Sequence, residues 1–180
     1  AISVFILGFY HNASREGSNR IHFQIGKING TLVGLVDGNY SNYTSTTGAF
    51  TMNTSNTNSG GWNNSHMRKT VLGSNSASAT SPAANTLLAA LPADLRAVMK
   101  PATKYSDNTG GGSDTASYVT STTDLLPLLS EFEYHGVRSY ANSAEKNYQA
   151  QYDYYRAGNS KVHYRHNATG TAALAWCRSV

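Results

Sequence analysis

With 180 residues, the chain is long enough for one domain with a hydrophobic core, and no internal repeat or linker divides it. Only 13% of the residues are charged, about half the usual share, and the net charge of +4 comes from thinly spread basic residues, which does not favour nucleic-acid binding. A single cysteine, Cys177, excludes an internal disulfide, and no apolar run reaches the ~18 residues of a membrane-spanning helix.

The first third of the chain has the pattern of short antiparallel strands. Apolar segments at residues 2–9, 21–25 and 31–36 predict a β meander, and Asn29-Gly30 predicts a tight hairpin turn before the third strand. Residues 38–61 are polar and rich in turn-forming residues, which predicts a long surface loop.

The middle of the chain predicts short helices and a second loop. One helix is expected to be capped near Asn63 and to end near Leu72. Residues 85–99 carry an apolar face at helical spacing, but Pro92 lies inside it and is expected to end one helix and begin another. Residues 103–123 are rich in Gly, Ser and Asp, so we expect a polar loop there.

The last third of the chain predicts helices followed by strands. Residues 124–129 are expected to be extended because they contain a proline, and residues 130–133 form a capping box that predicts a short helix. A second capping signal at Asn142 predicts a helix that runs to the stop at Gly158. Apolar residues at 161–165 and 172–178 predict two strands, so the fold class is α+β.

Residues that could carry chemistry form no recognisable catalytic or metal-binding motif. The six histidines are scattered, without His-Glu-x-x-His spacing, and no Gly-x-Ser-x-Gly is present. The sequence therefore predicts a protein that is not an enzyme and needs no cofactor. The one metal alternative is calcium, for which the Gly-rich segment between Asp107 and Asp114 offers oxygen ligands.

A set of aromatic and charged residues is expected to hold the core together. The two tryptophans fit either a core position or a stacking platform for a sugar or peptide. Two arginines are expected to form buried ion pairs with Asp124 or Glu131, whereas Glu133 is expected to serve as a helix cap. The predicted core residues are Trp62, Arg68, Asp124, Glu131, Trp176 and Arg178.

Four segments carry a distinctive order of Trp, Arg, Pro and acidic residues. They are Gly60-Gly61-Trp62-Asn63-Asn64-Ser65-His66-Met67-Arg68, Leu91-Pro92-Ala93-Asp94-Leu95-Arg96-Ala97-Val98-Met99-Lys100, Thr123-Asp124-Leu125-Leu126-Pro127-Leu128-Leu129-Ser130-Glu131-Phe132-Glu133 and Trp176-Cys177-Arg178-Ser179. In this order they resemble a surface-domain family of unknown function from gut Firmicutes and their phages. That family is associated with the C-type-lectin-like fold of formylglycine-generating-enzyme type and with the variable proteins of diversity-generating retroelements.

The resemblance implies a single C-type-lectin-like domain over residues 1–180, with an N-terminal β meander, several short helices and long polar loops. In such proteins a Trp-Trp-x-Arg-Ser strand leads into a Tyr-, Asn- and Ser-rich segment that forms the ligand surface. Here Ala175 stands where the first Trp is usual and the sequence ends at Val180, so we expect a lectin-like core that is truncated at its C-terminus. The copper-binding cysteines of the related enzyme are missing, because Cys177 is alone.

The leading hypothesis is a non-enzymatic ligand- or receptor-binding domain on a phage particle or bacterial cell surface, outside the cell, with a protein or glycan as its partner. One alternative is an architectural virion protein of the decoration or tail type, which packs against other copies or other virion proteins. Another is a degenerate enzyme of the formylglycine-generating type. The residues expected to contact the ligand are Tyr40, Asn42, Tyr43, Tyr148, Tyr152, Tyr155 and Trp176.

Overall fold

The computed structural model describes residues 3–28, 31–32, 51–111, 113–165, 168–173 and 175–179. Short helices alternate with two-stranded antiparallel sheets in this part of the chain, so the predicted α+β class is confirmed. Among the helices formed by these residues, none is long and apolar enough to cross a membrane.

The N-terminal sheet pairs β1 (Val4–Phe9) with β2 (Ile21–Ile25), which confirms both predicted strands. The short helix α1 (Ala13–Glu16) lies in the connection between them. The register shifts between Ile6 and Gly8, and this bulge lets Leu7 point into the interior, where it is buried. Directly opposed residues share one face of a sheet, so the apolar pairs lie together on the outer face of β1–β2. The exposed apolar residues of that face are Val4, Ile6, Phe9 and Ile21.

A second small sheet pairs β3 (Lys27–Ile28) with β4 (Thr31–Leu32). Ile28 lies opposite Thr31, which confirms the predicted hairpin, while its connecting residues 29–30 lie outside the described part of the chain. The rest of the predicted third strand and most of the predicted polar loop, residues 33–50, also lie outside it.

The predicted helix ending near Leu72 is replaced by two shorter elements. Helix α2 (Gly61–Asn64) is followed by a π-helical turn (Met67–Val71), with Ser65 extended between them. The Ser65 hydroxyl donates to the carbonyl oxygen of Trp62 and accepts from the backbone N–H of the residue three positions on, so its side chain replaces the hydrogen bonds of a continuous helix.

The predicted break at Pro92 is confirmed. Helix α3 (Leu87–Ala90) ends there and α4 (Ala93–Val98) begins on the other side. The residue before the proline, Leu91, has ψ 148, the extended conformation that a following proline favours.

The prediction of a polar loop over residues 103–123 is wrong, because its two ends form a hairpin. Strand β5 (Ala102–Asp107) pairs with β6 (Val119–Asp124) over six consecutive positions. The polar side chains that face inward, including Lys104 and Thr122, are buried and have partners elsewhere in the fold. A polar side chain in the sequence is therefore not enough to predict that the residue is exposed.

The C-terminal third confirms one capping box and corrects one predicted helix. Helix α5 (Glu131–His135) begins at the predicted capping box. The predicted long helix from Asn142 is instead a 3₁₀ helix (Ser143–Asn147) and, after an extended stretch, helix α6 (Asp153–Arg156). The helix is interrupted because the backbone N–H of Tyr152 donates to the carbonyl oxygen of Glu133 rather than to its own preceding turn.

The last sheet pairs β7 (His163–Arg165) with β8 (Ala168–Ala173). The first of these strands agrees with its prediction, whereas the second begins and ends earlier than the predicted 172–178. Residues 175–179 have no regular structure, and the backbone N–H of Arg178 donates to the carbonyl oxygen of Leu129.

Gly61 is a position where the fold requires glycine. Its φ is 51, and a Cβ added there would lie 2.2 Å from the carbonyl oxygen of Asp107 on β5. Gly158 offers a comparison, because its φ is 89 but no atom lies within 4 Å of the same added Cβ.

We expect Gly61→Ala to lower the free energy of unfolding by more than ~2 kcal/mol, because it combines backbone strain with a clash against a β-strand. Gly158→Ala keeps only the strain and should cost about 1 kcal/mol. Urea denaturation of both variants checks the difference, and equal losses would contradict the close packing of α2 on β5.

Candidate functional site

Four charged side chains meet in the interior and define a charge network. Lys104 Nζ donates to Glu16 Oε2 at 2.6 Å and to Glu133 Oε1 at 2.8 Å. Arg178 holds the same glutamate with two guanidinium nitrogens, one of which, Nη2, lies 2.9 Å from Oε1. All four residues are at most 2% exposed, so two cations and two carboxylates neutralise each other away from water.

Glu133 occupies this position because of the helix cap that the sequence predicted. Ser130 and Glu133 exchange hydrogen bonds between side chain and backbone N–H, and these close the capping box of α5. The carboxylate that caps the helix is therefore also the partner of Arg178. The predicted partner, Glu131, is instead half-buried and accepts the backbone N–H groups of Tyr140 and Ala141.

Opposing effects set the ionisation of this network. Burial by itself raises the pKa of Glu133, but the charges of Arg178 and Lys104 outweigh burial and hold that pKa below the usual range. Burial lowers the pKa of Lys104, yet the carboxylates of Glu133 and Glu16 raise it overall. Both groups therefore stay charged at neutral pH, which leaves neither free to exchange protons with a substrate.

An aromatic wall of His11, His22 and Tyr152 covers one side of the network. Tyr152 Oη accepts from Lys104 Nζ at 3.0 Å and lies 2.8 Å from His22 Nδ1, and the His11 ring stacks on the Tyr152 ring at 3.7 Å. Burial lowers the pKa of His11 to about 3 and that of His22 to about 4, so both imidazoles are neutral at neutral pH.

Three of these residues, His11, Glu16 and Glu133, bring ligand atoms within 4.8 Å of one another, which is close enough for a metal ion. Lys104 Nζ already lies against both carboxylates. A divalent ion would place further positive charge beside Lys104 and Arg178 in a dry site, so the residues present do not fit a metal. The lysine ammonium serves as the cation of this cluster.

The calcium alternative at residues 107–114 meets a similar obstacle. The Asp107 carboxylate accepts hydrogen bonds from Asn142 and from Thr109, and these hydrogen bonds hold its pKa low against the effect of burial. The Asp114 carboxylate is exposed and accepts from Ser143 and Arg138. Protein donors thus take up the oxygens that calcium would need.

A second buried cluster forms around Asp124, as the sequence predicted. Trp62 Nε1 donates to Oδ2 at 3.0 Å, and Arg68 Nε donates to Oδ1 at 2.6 Å. Ser74 and Thr122 add hydroxyl donors to the same carboxylate. The structure thus places Trp62, Arg68 and Asp124 in the interior, where their contacts join α2, the π-helical turn and β6.

On the surface, Tyr105, Tyr148 and Arg15 form a unit that we name the aromatic platform. The two tyrosine rings stack with centroids 4.9 Å apart, and the exposed Arg15 guanidinium lies 4.7 Å from the Tyr148 ring centroid. The backbone carbonyl oxygens of the two tyrosines accept from Gln149 and Asn12 at 2.6 and 2.7 Å. The platform is therefore fixed to the elements that carry the charge network.

The predicted ligand residues fall into different environments. Tyr40, Asn42 and Tyr43 lie outside the described part of the chain, and Tyr148 is half-buried on the platform. Trp176 is 38% exposed, so its predicted place in the core is wrong. The prediction that Tyr152 and Tyr155 contact the ligand is wrong, because both side chains pack in the interior and are almost inaccessible.

Sequence reasoning missed most of the charge network and the platform. The capping box signalled where Glu133 lies, but not its ion pairs. Lys104, Glu16 and Arg15 carry no local signal, because their partners are distant in sequence. Comparison of the chain with protein-family models, with curated proteins and with solved structures finds no match in any of the three.

Lys104→Met should lower the free energy of unfolding by about 3–5 kcal/mol, because it strands Glu16 as an unpaired buried carboxylate. The double variant Lys104→Met with Glu16→Gln should recover part of that loss. The exposed pair of Arg156 with Asp153 provides the control: Arg156→Met should cost less than about 1 kcal/mol. Urea denaturation measures all three, and a double variant as unstable as the single one would contradict the charge argument.

Acidification should destabilise the protein between about pH 6.5 and pH 4. Above pH 6.5, His11 and His22 are neutral in both the folded and the unfolded state. Between pH 6.5 and pH 4 the two histidines bind protons in the unfolded chain, but not in the folded protein, where their pKa values are lowered. Protonation therefore favours the unfolded state in this range. His11→Phe keeps a ring against Tyr152 and should reduce proton uptake on unfolding by about one. Urea denaturation at pH 7.5 and 5.0 measures this, and equal pH dependence in variant and wild type would contradict it.

Proposed function

We propose that this chain is a non-enzymatic binding domain, displayed outside the cell on a phage particle or bacterial surface, which contacts a protein or a glycan. The observation that carries the proposal is the aromatic platform. Its tyrosine rings and guanidinium are of the kind that dominates recognition surfaces. Hydrogen bonds to the backbone at Tyr105 and Tyr148 hold it in place, so binding would cost little conformational entropy.

The buried groups support binding rather than catalysis. Lys104, Glu133 and Arg178 are paired with one another in the interior, where a substrate does not reach them. Burial raises the pKa of the Cys177 thiol to about 11, so little of it is thiolate at neutral pH, which does not favour the degenerate-enzyme alternative.

The C-type-lectin-like fold and membership of the phage and Firmicutes surface family are part of this proposal. Their support is the ordered set of sequence motifs, together with the buried Trp62–Arg68–Asp124 and Glu133–Arg178 contacts that those motifs make. Trp176, from the last motif, remains a predicted ligand contact.

The outer face of β1–β2 favours a second candidate, the architectural virion protein. Val4, Ile6, Phe9 and Ile21 expose 46–56% of their surface side by side, and such apolar patches mark protein interfaces. In this function another copy of the chain would cover the face. Self-association therefore separates the two candidates.

The test of the binding function uses the full chain, labelled, on a glycan array and on bacterial cells by flow cytometry. We expect Tyr148→Ser and Arg15→Ala each to weaken binding by about tenfold, because each removes a ring or guanidinium contact. Tyr140→Ser is the matched control, since Tyr140 is 90% exposed and lies outside the platform.

Equal loss in the Tyr140 control, or unchanged binding in the Tyr148 variant, would overturn the platform as the contact surface. Sedimentation equilibrium on the same wild-type sample gives the other outcome. A concentration-dependent oligomer that binds no glycan or cell would support the architectural function instead.

A further inference from the structure

Buried side-chain nitrogens without a hydrogen-bond partner are concentrated in one segment. Among the described residues they are Nε2 of His11, Nε and Nη1 of Arg20, and Nε2 of His22, all within residues 11–22. A buried donor left unpaired costs about 1–3 kcal/mol, so such groups normally have a partner, if not from the chain then from a bound ion or water. This segment, which connects β1 to β2, is therefore a place where something other than the chain completes the structure.

The hydrogen bonds around Tyr152 show which kind of partner is missing at His22. An ammonium can only donate, so Tyr152 Oη accepts from Lys104 Nζ, and His22 Nδ1 is the one acceptor among the described partners of the Tyr152 hydroxyl; we assign the direction of this hydrogen bond and the His22 tautomer on that basis. The neutral imidazole then carries its single proton on Nε2. The unpartnered atom of His22 is thus a donor, as are both unpartnered nitrogens of Arg20, and the missing partner is an acceptor.

Arg20 and His22 face the same way. Arg20 directly precedes β2, and its carbonyl oxygen accepts from the backbone N–H of Tyr10, which continues the pairing of the sheet by one residue. Alternate residues of paired strands point to one side, so Arg20 and His22 lie opposite to the exposed Ile21. The Arg20 guanidinium also rests directly on the backbone of Gly17, where an added Cβ would lie 2.3 Å from Nε. The glycine, with φ 112, leaves the space that the guanidinium occupies.

Charge distinguishes an anion from a water molecule as the missing partner. In the charge network Lys104 and Arg178 are balanced by Glu16 and Glu133, but no described carboxylate lies within 4 Å of Arg20. The positive charge of Arg20 reaches His22 and contributes to the low pKa of that imidazole. Arg20 is half-buried, so water hydrates its charge only in part, and an anion would both accept the hydrogen bonds of the buried Nε and Nη1 and balance the charge, whereas a water molecule would only accept the hydrogen bonds.

We propose that the segment connecting β1 and β2 binds one small monovalent anion, a halide or a carboxylate, between the Arg20 guanidinium and His22 Nε2. His11 Nε2 faces the Glu16 carboxylate at 3.8 Å and belongs to the wall of the site rather than to its donors. The anion accepts hydrogen bonds from Arg20 and His22 at the start of β2 and thereby stabilises the position of His22 against the charge network.

The first experiment uses wild-type crystals grown without halide and soaked in sodium bromide. We expect one anomalous bromide peak within hydrogen-bonding distance of Arg20 and His22. Density for water alone at this position, with no bromide peak, would overturn the proposal. Because this measurement needs no variant, it stands even if a substitution prevents folding.

The second experiment separates the two anion sources in solution. The Tm of the wild type is followed against sodium chloride and sodium formate, each at constant ionic strength balanced with sodium methanesulfonate, which is neither a halide nor a carboxylate. We expect a saturable rise in Tm with at least one of the two salts, and the salt with the lower half-saturation concentration identifies the class of anion. A rise that is linear in salt concentration, or no rise with either salt, would count against a specific site.

Arg20→Gln should raise the anion concentration at half-saturation by about tenfold or more, because it removes the charge that holds the anion. Arg15→Gln is the matched control on the same segment, since its guanidinium is exposed over Tyr148, and it should leave the half-saturation unchanged. Equal effects of the two substitutions would mean that the salt acts on overall charge, which would overturn the site.

Discussion

The carboxylate of Glu133 is the group on which the separate parts of this fold depend. It closes the capping box of α5, pairs with Arg178 near the end of the chain and, through Lys104 on β5, reaches Glu16 in the N-terminal segment. The strands and helices are short, and each sheet in the described part has two strands, so no single apolar layer spans them. Buried ion pairs contribute little net stability, but they penalise every arrangement that leaves one partner alone.

This use of charge explains the composition. Ten residues of the chain are acidic, and five of these are among the buried residues of the described part. Acidic groups are thus drawn inside to pair with Lys104, Arg68 and Arg178 or to accept backbone hydrogen bonds. The surface is left with few charges, mostly basic, and with hydroxyl, amide and tyrosine groups that can bind a partner without losing strongly held water.

The features that could be predicted from sequence are those that depend on neighbours in the chain. The capping box at Ser130, the helix break at Pro92 and strands β1 and β2 follow from local patterns. The β5–β6 hairpin could not be predicted, because its inward residues are polar and become buried only through distant partners such as Glu16 for Lys104. The helix predicted after Asn142 failed for the same reason.

The candidate site shows the same division. The ion pair of Arg68 with Asp124 is one of the pairings that were expected, because the buried arginines were predicted to pair with Asp124 or Glu131, whereas the hydrogen bond from Trp62 to the same carboxylate was not expected. The aromatic platform was not expected either, because it joins three segments far apart in the chain, and only Tyr148 belonged to the predicted surface. Tyrosine content indicates that a chain has recognition residues, but the backbone decides which of them reach the surface.

The pairing of Glu133 with Arg178 also bears on how the protein is made. The partners are 45 positions apart, and Lys104 and Glu16 are 88 apart, so the network closes only through distant contacts. While Arg178 is still inside the ribosome, Glu133 lacks one of its two cationic partners, and the native charge network cannot form. Folding must therefore be completed after that residue emerges, and until then the apolar side chains that the fold buries, such as Leu7, are accessible to chaperones and to neighbouring nascent chains on the same message.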